Sequence, residues 1–201
     1  MRASVKKAVF LDRDGVLNRN VYYEDLGEWE SPRAPEDLVL FDSTVPALRQ
    51  LQVAGFMLFV VSNQPSYAKG KTSLENLKRV HDKLSMQLED QAITIEAYYY
   101  CYHHPKGIIP EYTMQCECRK PSPFFLRKAI EQYDLDVSEC WMVGDRDSDL
   151  ACAEAAGCRA IAILPDHINA VNSSKTQKSK HMNLLSCVTQ IIGVSDVKSA
   201  N

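Results

Sequence analysis

The stretch Ala8-Val9-Phe10-Leu11-Asp12-Arg13-Asp14-Gly15 sets a short apolar run directly against two aspartates, an arginine and a glycine. A run this short and this apolar suits a strand buried on both faces of a parallel sheet. Four more runs repeat the form. Phe56 to Val61 ends at Ser62-Asn63-Gln64, and Ile95 to Tyr100 ends at Cys101. Trp141 to Val143 ends at Gly144-Asp145-Arg146-Asp147-Ser148-Asp149, and Ala160 to Leu164 ends at Pro165. Helical patterns lie between these runs. The alternation predicts an α/β fold with a doubly wound, mostly parallel sheet and right-handed crossovers.

The helical segments carry their own punctuation. Thr44 is the expected cap of one helix, with Pro46 in its first turn and Gly55 past its end. Thr72-Ser73-Leu74-Glu75 reads as a capping box ahead of Leu74, Leu77, Val80, Leu84 and Leu88 at helical spacing. Ser122-Pro123 opens a third helix with Phe125, Leu126, Ala129, Ile130 and Tyr133 inward, and Lys120 is placed at its beginning. Asp147 to Ala156 is a fourth, closed by Gly157. Met182 to Ile192 is expected to close the fold as a helix, and Ser195 to Asn201 to fray. Asp166 to Lys180, rich in Ser, Lys and Asn, reads as a mobile loop within a flexible C-terminal segment of 166–201.

Composition sets the class. The 201 residues carry 23 Lys plus Arg against 26 Asp plus Glu, for a net charge of −3. That mild acidity argues against a nucleic-acid partner, which calls for a basic excess or stripe. The longest apolar run, Val53 to Val61, falls far short of the roughly 20 residues of a membrane span. MRASVKK and the short run after it do not make a signal-peptide core. The expectation is a cytoplasmic monomer with one domain over 1–201 and neither membrane nor nucleic acid as partner. Seven cysteines, an odd number, argue against a disulfide framework. Cys140, Cys152, Cys158 and Cys187 sit in apolar surroundings and read as buried core residues.

Ligands of open α/β sheets bind beyond the carboxyl ends of the strands, where this sequence concentrates its polar residues. Carboxylates, a hydroxyl and a lysine converging there suit a hard divalent cation and a phosphoryl group. Mg²⁺ takes oxygen ligands and keeps several waters. A carboxylate can attack phosphorus and form an aspartyl-phosphate, provided cations cancel its repulsion with the phosphate. A second carboxyl must protonate the leaving oxygen and later deprotonate water. Asp12 and Asp14, two residues apart, can both reach one phosphate if the chain leaves the strand as a loop. A lone Asp-x-Asp-Gly is more often a turn; four such signals in order, each after an apolar run, are not.

Those four signals, FLDRDGVLN (Phe10 to Asn18), VVSNQ (Val60 to Gln64), CRKP (Cys118 to Pro121) and VGDRDSD (Val143 to Asp149), resemble the motifs of the haloacid dehalogenase (HAD) superfamily. The closer likeness is to its histidinol-phosphate and heptose-bisphosphate phosphatase branch, over Val9 to Leu164. The resemblance implies Asp12 as nucleophile and Asp14 as general acid/base. Ser62 and Lys120 would hold the transferring phosphoryl group. Mg²⁺ would sit on Asp12, Asp145 and Asp14 (through its backbone carbonyl), with Asp149 supporting Lys120 or the metal from behind. Asn63, Gln64, Arg119 and Arg146 would contact substrate. The implied substrate is a small phosphorylated sugar, foremost the 7-phosphate of a heptose 1,7-bisphosphate, with histidinol phosphate as the alternative. A rival of another class is a non-catalytic, zinc-stabilised scaffold, which would need no paired aspartates. Ser62 stands where Thr is usual, Pro65-Ser66-Tyr67 where Ser-Gly is common, and Arg19 to Ala34, which matches no usual short loop of the branch, is expected near the substrate.

Cys101-Tyr102-His103, twelve residues, then Cys116-Glu117-Cys118 offers three thiolates and an imidazole, the donor set of a closed, structural tetrahedral Zn²⁺ site. The branch carries a Cys-x-His…Cys-x-Cys loop of this form, whose register selects His103 over His104. The zinc loop, 101–118, ends next to Arg119 and Lys120. It would fix the lysine's approach and stand in for the cap domain of larger relatives. His81, His167 and His181 read as surface or structural residues.

Overall fold

The computed structural model describes residues 5–164 and 183–198. Expectations for Asp166 to Lys180, His167, His181 and Met182 lie outside them. Five parallel strands form the main sheet: β1 (Lys7–Leu11), β4 (Phe56–Asn63), β5 (Ala97–Cys101), β6 (Cys140–Gly144) and β7 (Arg159–Ala162), in the order β5-β4-β1-β6-β7. A small antiparallel hairpin, β2 (Val21–Tyr23) with β3 (Glu28–Glu30), follows β1. All five expected strands are present, shifted at their ends by one or two residues.

Side chains alternate across β1 and so reach both layers. Val9 and Leu11 join Leu48, Leu51, Leu84, Leu184 and Cys187 on one face. These bring α1 (Thr44–Val53), α2 (Leu74–Glu89) and α5 (Leu184–Lys198) against the sheet. Ala8 and Phe10 join Leu126, Ala129, Cys152 and Ala153 on the other, under α3 (Phe124–Tyr133) and α4 (Asp147–Ala156). Each leucine so buried contributes roughly 1.5–3 kcal/mol of transfer free energy. Cys140, Cys152, Cys158 and Cys187 are buried, as their surroundings foretold. No helix among the described residues is long and apolar enough to cross a membrane.

Four local expectations shift. Thr44 is the first residue of α1, not its cap; its hydroxyl donates to Leu17 O at 2.7 Å and ties the helix to the loop after β1. Ser73 caps α2 by accepting from Asn76 N, while the Thr72 hydroxyl donates to Arg33 O at 2.6 Å. The polar demand of Arg33's carbonyl thus moves the cap one residue. Lys120 precedes α3, which begins at Phe124. At the other end of the chain, α5 continues through Ser195 to Lys198, past the expected stop at Ile192.

Register places the chemistry. Leu11 pairs with Val60 and with Val143, and Asn63 pairs with Cys101. The loops after β1, β4, β5 and β6 therefore leave the sheet side by side at one carboxyl edge.

Candidate active site

Asp12 begins where β1 ends, and its amide donates to Val143 O at 3.0 Å, so the turn starts while still held to β6. The chain then bends tightly: Leu17 N and Asn18 N both donate to Arg13 O. Gly15 has φ +84°, and a Cβ there would collide with the Asp145 carboxylate. Gly144 is equally constrained, because a Cβ would meet Asp149. Gly15 lets the loop after β1 close on Asp145, and Gly144 lets Asp149 of α4 fold back against the end of β6.

Asp12, Asp145 and Asp149 form one cluster, with ligand oxygens within 4.8 Å of one another. Lys120 lies inside it. Its Nζ stands 3.0 Å from Asp12 Oδ1 and 2.7 Å from Asp149 Oδ1, and donates to Val61 O at 2.7 Å. Burial opposes the ammonium charge, but Asp12 and Asp149 hold its pKa above the usual lysine value. Asp149 is itself fixed by α4, its Oδ2 accepting from Arg146 N at 3.1 Å. Its Oδ1 lies against Lys120, within the expectation that Asp149 supports the lysine or the metal from behind.

Asp145 is the side chain left in want of a partner. Its Oδ1 is buried and accepts no hydrogen bond, and the nearest cation, Arg146 Nε, is 3.9 Å away. Burial and the Asp12 charge push its carboxyl up to about 7. A hard divalent cation beside Asp12 and Asp145 would satisfy that oxygen and reverse the shift, so the donor set fits Mg²⁺. The Asp14 carboxylate lies outside this cluster.

Asp14 is held by a different set of partners. Its Oδ1 accepts from Arg13 Nε at 3.0 Å and Asn18 Nδ2 at 2.9 Å. Its Oδ2 accepts from Arg13 Nη2 at 3.1 Å and Gln64 Nε2 at 2.6 Å. Burial works against ionisation, but Arg13, Asn18, Gln64 and Ser31 hold the carboxyl below the ordinary aspartate value. Ser62 joins the set through Gln64 Nε2, which donates to its Oγ at 3.0 Å.

The Cys/His loop returns to the same edge. Cys101 is the last residue of β5. Its Sγ is 3.5 Å from Cys116 Sγ and 4.0 Å from His103 Nδ1; Cys118 Sγ is 3.4 Å from Cys116 Sγ and 3.6 Å from His103 Nδ1. Sulfurs about 2.3 Å from a zinc ion stand about 3.8 Å apart in a tetrahedron, so these spacings and this donor set fit Zn²⁺. Burial and the neighbouring thiols push the Cys101 pKa up, and three thiolates this close call for a cation. His104 is turned away, its Nδ1 accepting from Lys106 N at 3.0 Å. The loop packs on the segment after β4 through Tyr67 against Tyr112, and Tyr112 stacks on His103.

The expected substrate contacts divide. Arg119 and Arg146 line a cavity of about 200 Å³ together with Glu28 and Glu30 of β3. Asn63 also lines it, yet both ends of its amide are engaged by Lys120: Oδ1 accepts from Lys120 N at 3.0 Å and Nδ2 donates to Lys120 O at 3.1 Å. Gln64 is only 1% exposed and does not line it. Sequence reasoning missed Lys69, which lines the same cavity, and Arg13, which is 1% exposed. The only sequence signal for Arg13 is its place between two aspartates. It also missed the hairpin, which Glu30 latches by ion pairs to Lys71 and to Arg33.

The HAD-hydrolase-like family model matches residues 117–182. The chain is 36% identical to the D-glycero-beta-D-manno-heptose-1,7-bisphosphate 7-phosphatase of Haemophilus ducreyi, over 77% of this chain and 80% of that protein. It is 34% identical to the protein of the same name from Escherichia coli K12, over 74% of each. It shares the fold of the D,D-heptose 1,7-bisphosphate phosphatase of B. bronchiseptica, solved with magnesium and phosphate. The TM-score is 0.74 at 24% identity, covering 94% of this chain and 99% of that one.

Proposed function

Because this chain belongs to the family of HAD-like heptose-bisphosphate 7-phosphatases, we propose that it is an Mg²⁺-dependent phosphoric monoester hydrolase. Its substrate is the 7-phosphate of D-glycero-D-manno-heptose 1,7-bisphosphate. The observation that carries the reading is the orphaned, buried Asp145 Oδ1 in one cluster with Asp12, whose carboxylate is paired with Lys120, a donor set that suits a hard cation and a phosphoryl group.

In this reading the Asp12 carboxylate attacks phosphorus while the bond to the sugar oxygen breaks, and Asp14 gives that oxygen its proton. Water then attacks the aspartyl-phosphate, loses a proton to Asp14, and frees Asp12 and inorganic phosphate. Lys120 and Ser62 hold the phosphoryl oxygens in both steps. Mg²⁺, held by Asp12, Asp145 and the Asp14 carbonyl, would supply charge neutralisation of the phosphoryl oxygens. Zn²⁺ on Cys101, His103, Cys116 and Cys118 would be structural, fixing the chain that delivers Arg119 and Lys120.

The cavity supports a bisphosphate over histidinol phosphate. Lys69, Arg119 and Arg146 line it against Glu28 and Glu30, and Glu30 is already paired with Lys71 and Arg33. Excess positive charge attracts a second phosphate and opposes the ammonium of histidinol phosphate. Seven unpaired cysteines fit a reducing cytoplasm. The enzyme would act there as a monomer, without a membrane or nucleic-acid partner. The test is kcat/KM over both anomers of the heptose bisphosphate, fructose 1,6-bisphosphate and histidinol phosphate. A heptose bisphosphate is expected to lead; histidinol phosphate in first place would overturn the substrate.

A further inference from the structure

Gln64 stands in the wrong place for a substrate contact and in a telling place for something else. Its side chain is sealed from solvent at 1% exposure. Its Nε2 donates to Asp14 Oδ2 at 2.6 Å and to Ser62 Oγ at 3.0 Å, and its Oε1 accepts from Arg13 Nη2 at 2.7 Å. Arg13 closes the ring by donating to both oxygens of Asp14. The Gln64 backbone is pinned too, its N–H donating to Cys101 O at 2.7 Å. One amide therefore joins the side chain that would handle the leaving-group proton to the side chain that would hold the phosphoryl group. The two come from different strands.

We propose that Gln64, braced by Arg13, is a positioning residue that sets the Asp14 carboxyl in register with Ser62 for proton transfer. The inference rests on Asp14 being the acid/base, but not on which sugar is the substrate. Its physical content is preorganisation. A carboxyl that must meet the same oxygen site twice, first as acid and then as base, works best when its rotation is already arrested. Without the Gln64 donor, Asp14 keeps its Arg13 and Asn18 bonds but loses its tie to Ser62.

The test uses leaving groups. An alkoxide leaving from a sugar phosphate needs a proton in the transition state, whereas p-nitrophenolate leaves without one. kcat/KM reports the steps through the first P–O cleavage, so it isolates the acid role. Gln64→Leu removes the amide. Gln64→Glu keeps the shape and the Arg13 contact but has no donor for Asp14 or Ser62. In each, the ratio of kcat/KM on the best sugar phosphate to that on p-nitrophenyl phosphate is expected to fall at least about tenfold, within the range of general-acid catalysis. Gln64→Asn, which restores a shorter donor, is expected to recover part of the ratio. Equal losses on both esters in Leu and Glu variants that melt like the parent would make Gln64 merely structural and overturn the proposal. An unchanged ratio with raised KM would make it a substrate contact, with the same result. Using whichever sugar phosphate the parent hydrolyses best keeps this outcome separate from the fate of the heptose reading.

Discussion

The aspartate cluster and the Cys/His cluster flank the same lysine and are made in opposite ways. Asp12, Asp145 and Asp149 meet only because β1 pairs with β6, Gly15 leaves room for Asp145 and Gly144 leaves room for Asp149. Their positions are a product of the whole core, and the cluster holds a fixed cation, Lys120, even with no metal considered. Cys101 ends β5, and His103, Cys116 and Cys118 follow in the loop after it; Arg119 donates to the His103 carbonyl there, and the four ligand atoms lie together. The first cluster is what the fold produces. The second would, with Zn²⁺ bound, be what a segment of the fold depends on. Lys120 is where they join, held at its backbone by Asn63 and approached by the loop from Cys118.

The largest expected effect breaks the pair apart. Asp12→Asn should lower phosphate release at least about a thousandfold, as removal of a nucleophile does, while the thermal midpoint stays within a few degrees. A collapse of the midpoint would show that the aspartates, too, are needed for folding. Next in size is Cys118→Ser. The parent should carry about one zinc per chain by elemental analysis and the variant far less. Stability should drop by several kcal/mol, and activity should fall with it because Lys120 loses its approach. Zinc-free parent protein with full stability and activity would sink the contrast. Asn63→Ala cuts the link alone. It orphans Lys120 N and Lys120 O, at about 1–3 kcal/mol for a buried group left unpaired, and should lower kcat/KM with zinc content unchanged.

The smallest effect lies away from both clusters. His81 packs edge-on against Tyr98 and Tyr100, and burial pushes its pKa below the usual histidine value. The unfolded chain binds that proton more readily, so the contribution to stability is whole above about pH 6.5 and shrinks as pH falls below it. His81→Phe should flatten that part of a stability-against-pH curve equally with and without chelator. A chelator-dependent difference would mean that α2 reports on the metals.

The strands were legible because each apolar run is bounded by a polar break, and the aspartates were legible because they stand at those breaks. What the sequence hid was direction. Asn63 and Gln64 follow an apolar run and read as groups reaching for substrate. Yet one clamps a backbone and the other is sealed beneath Asp14, because the β4–β5 pairing turns them inward. Arg13 has no role until Asp14 and Gln64 are seen to receive its guanidinium. The hairpin was missed because β2 and β3 are three residues each, too short for alternation to show. Glu30 holds it to Arg33, three residues on, and to Lys71, which lies 41 residues away, beyond the reach of a local pattern.

The hairpin also gives the molecule a built-in optical reporter. Of its two tryptophans, Trp141 is enclosed in β6 at 4% exposure. Trp29 rides on β3 beside the cavity at 45%, its ring 5.4 Å from that of Tyr22. Emission from the first is already blue and shielded from quenchers, whereas emission from the second follows the water at the cavity mouth. Filling of the cavity and melting of the sheet thus write to separate spectral components of a single unlabelled chain.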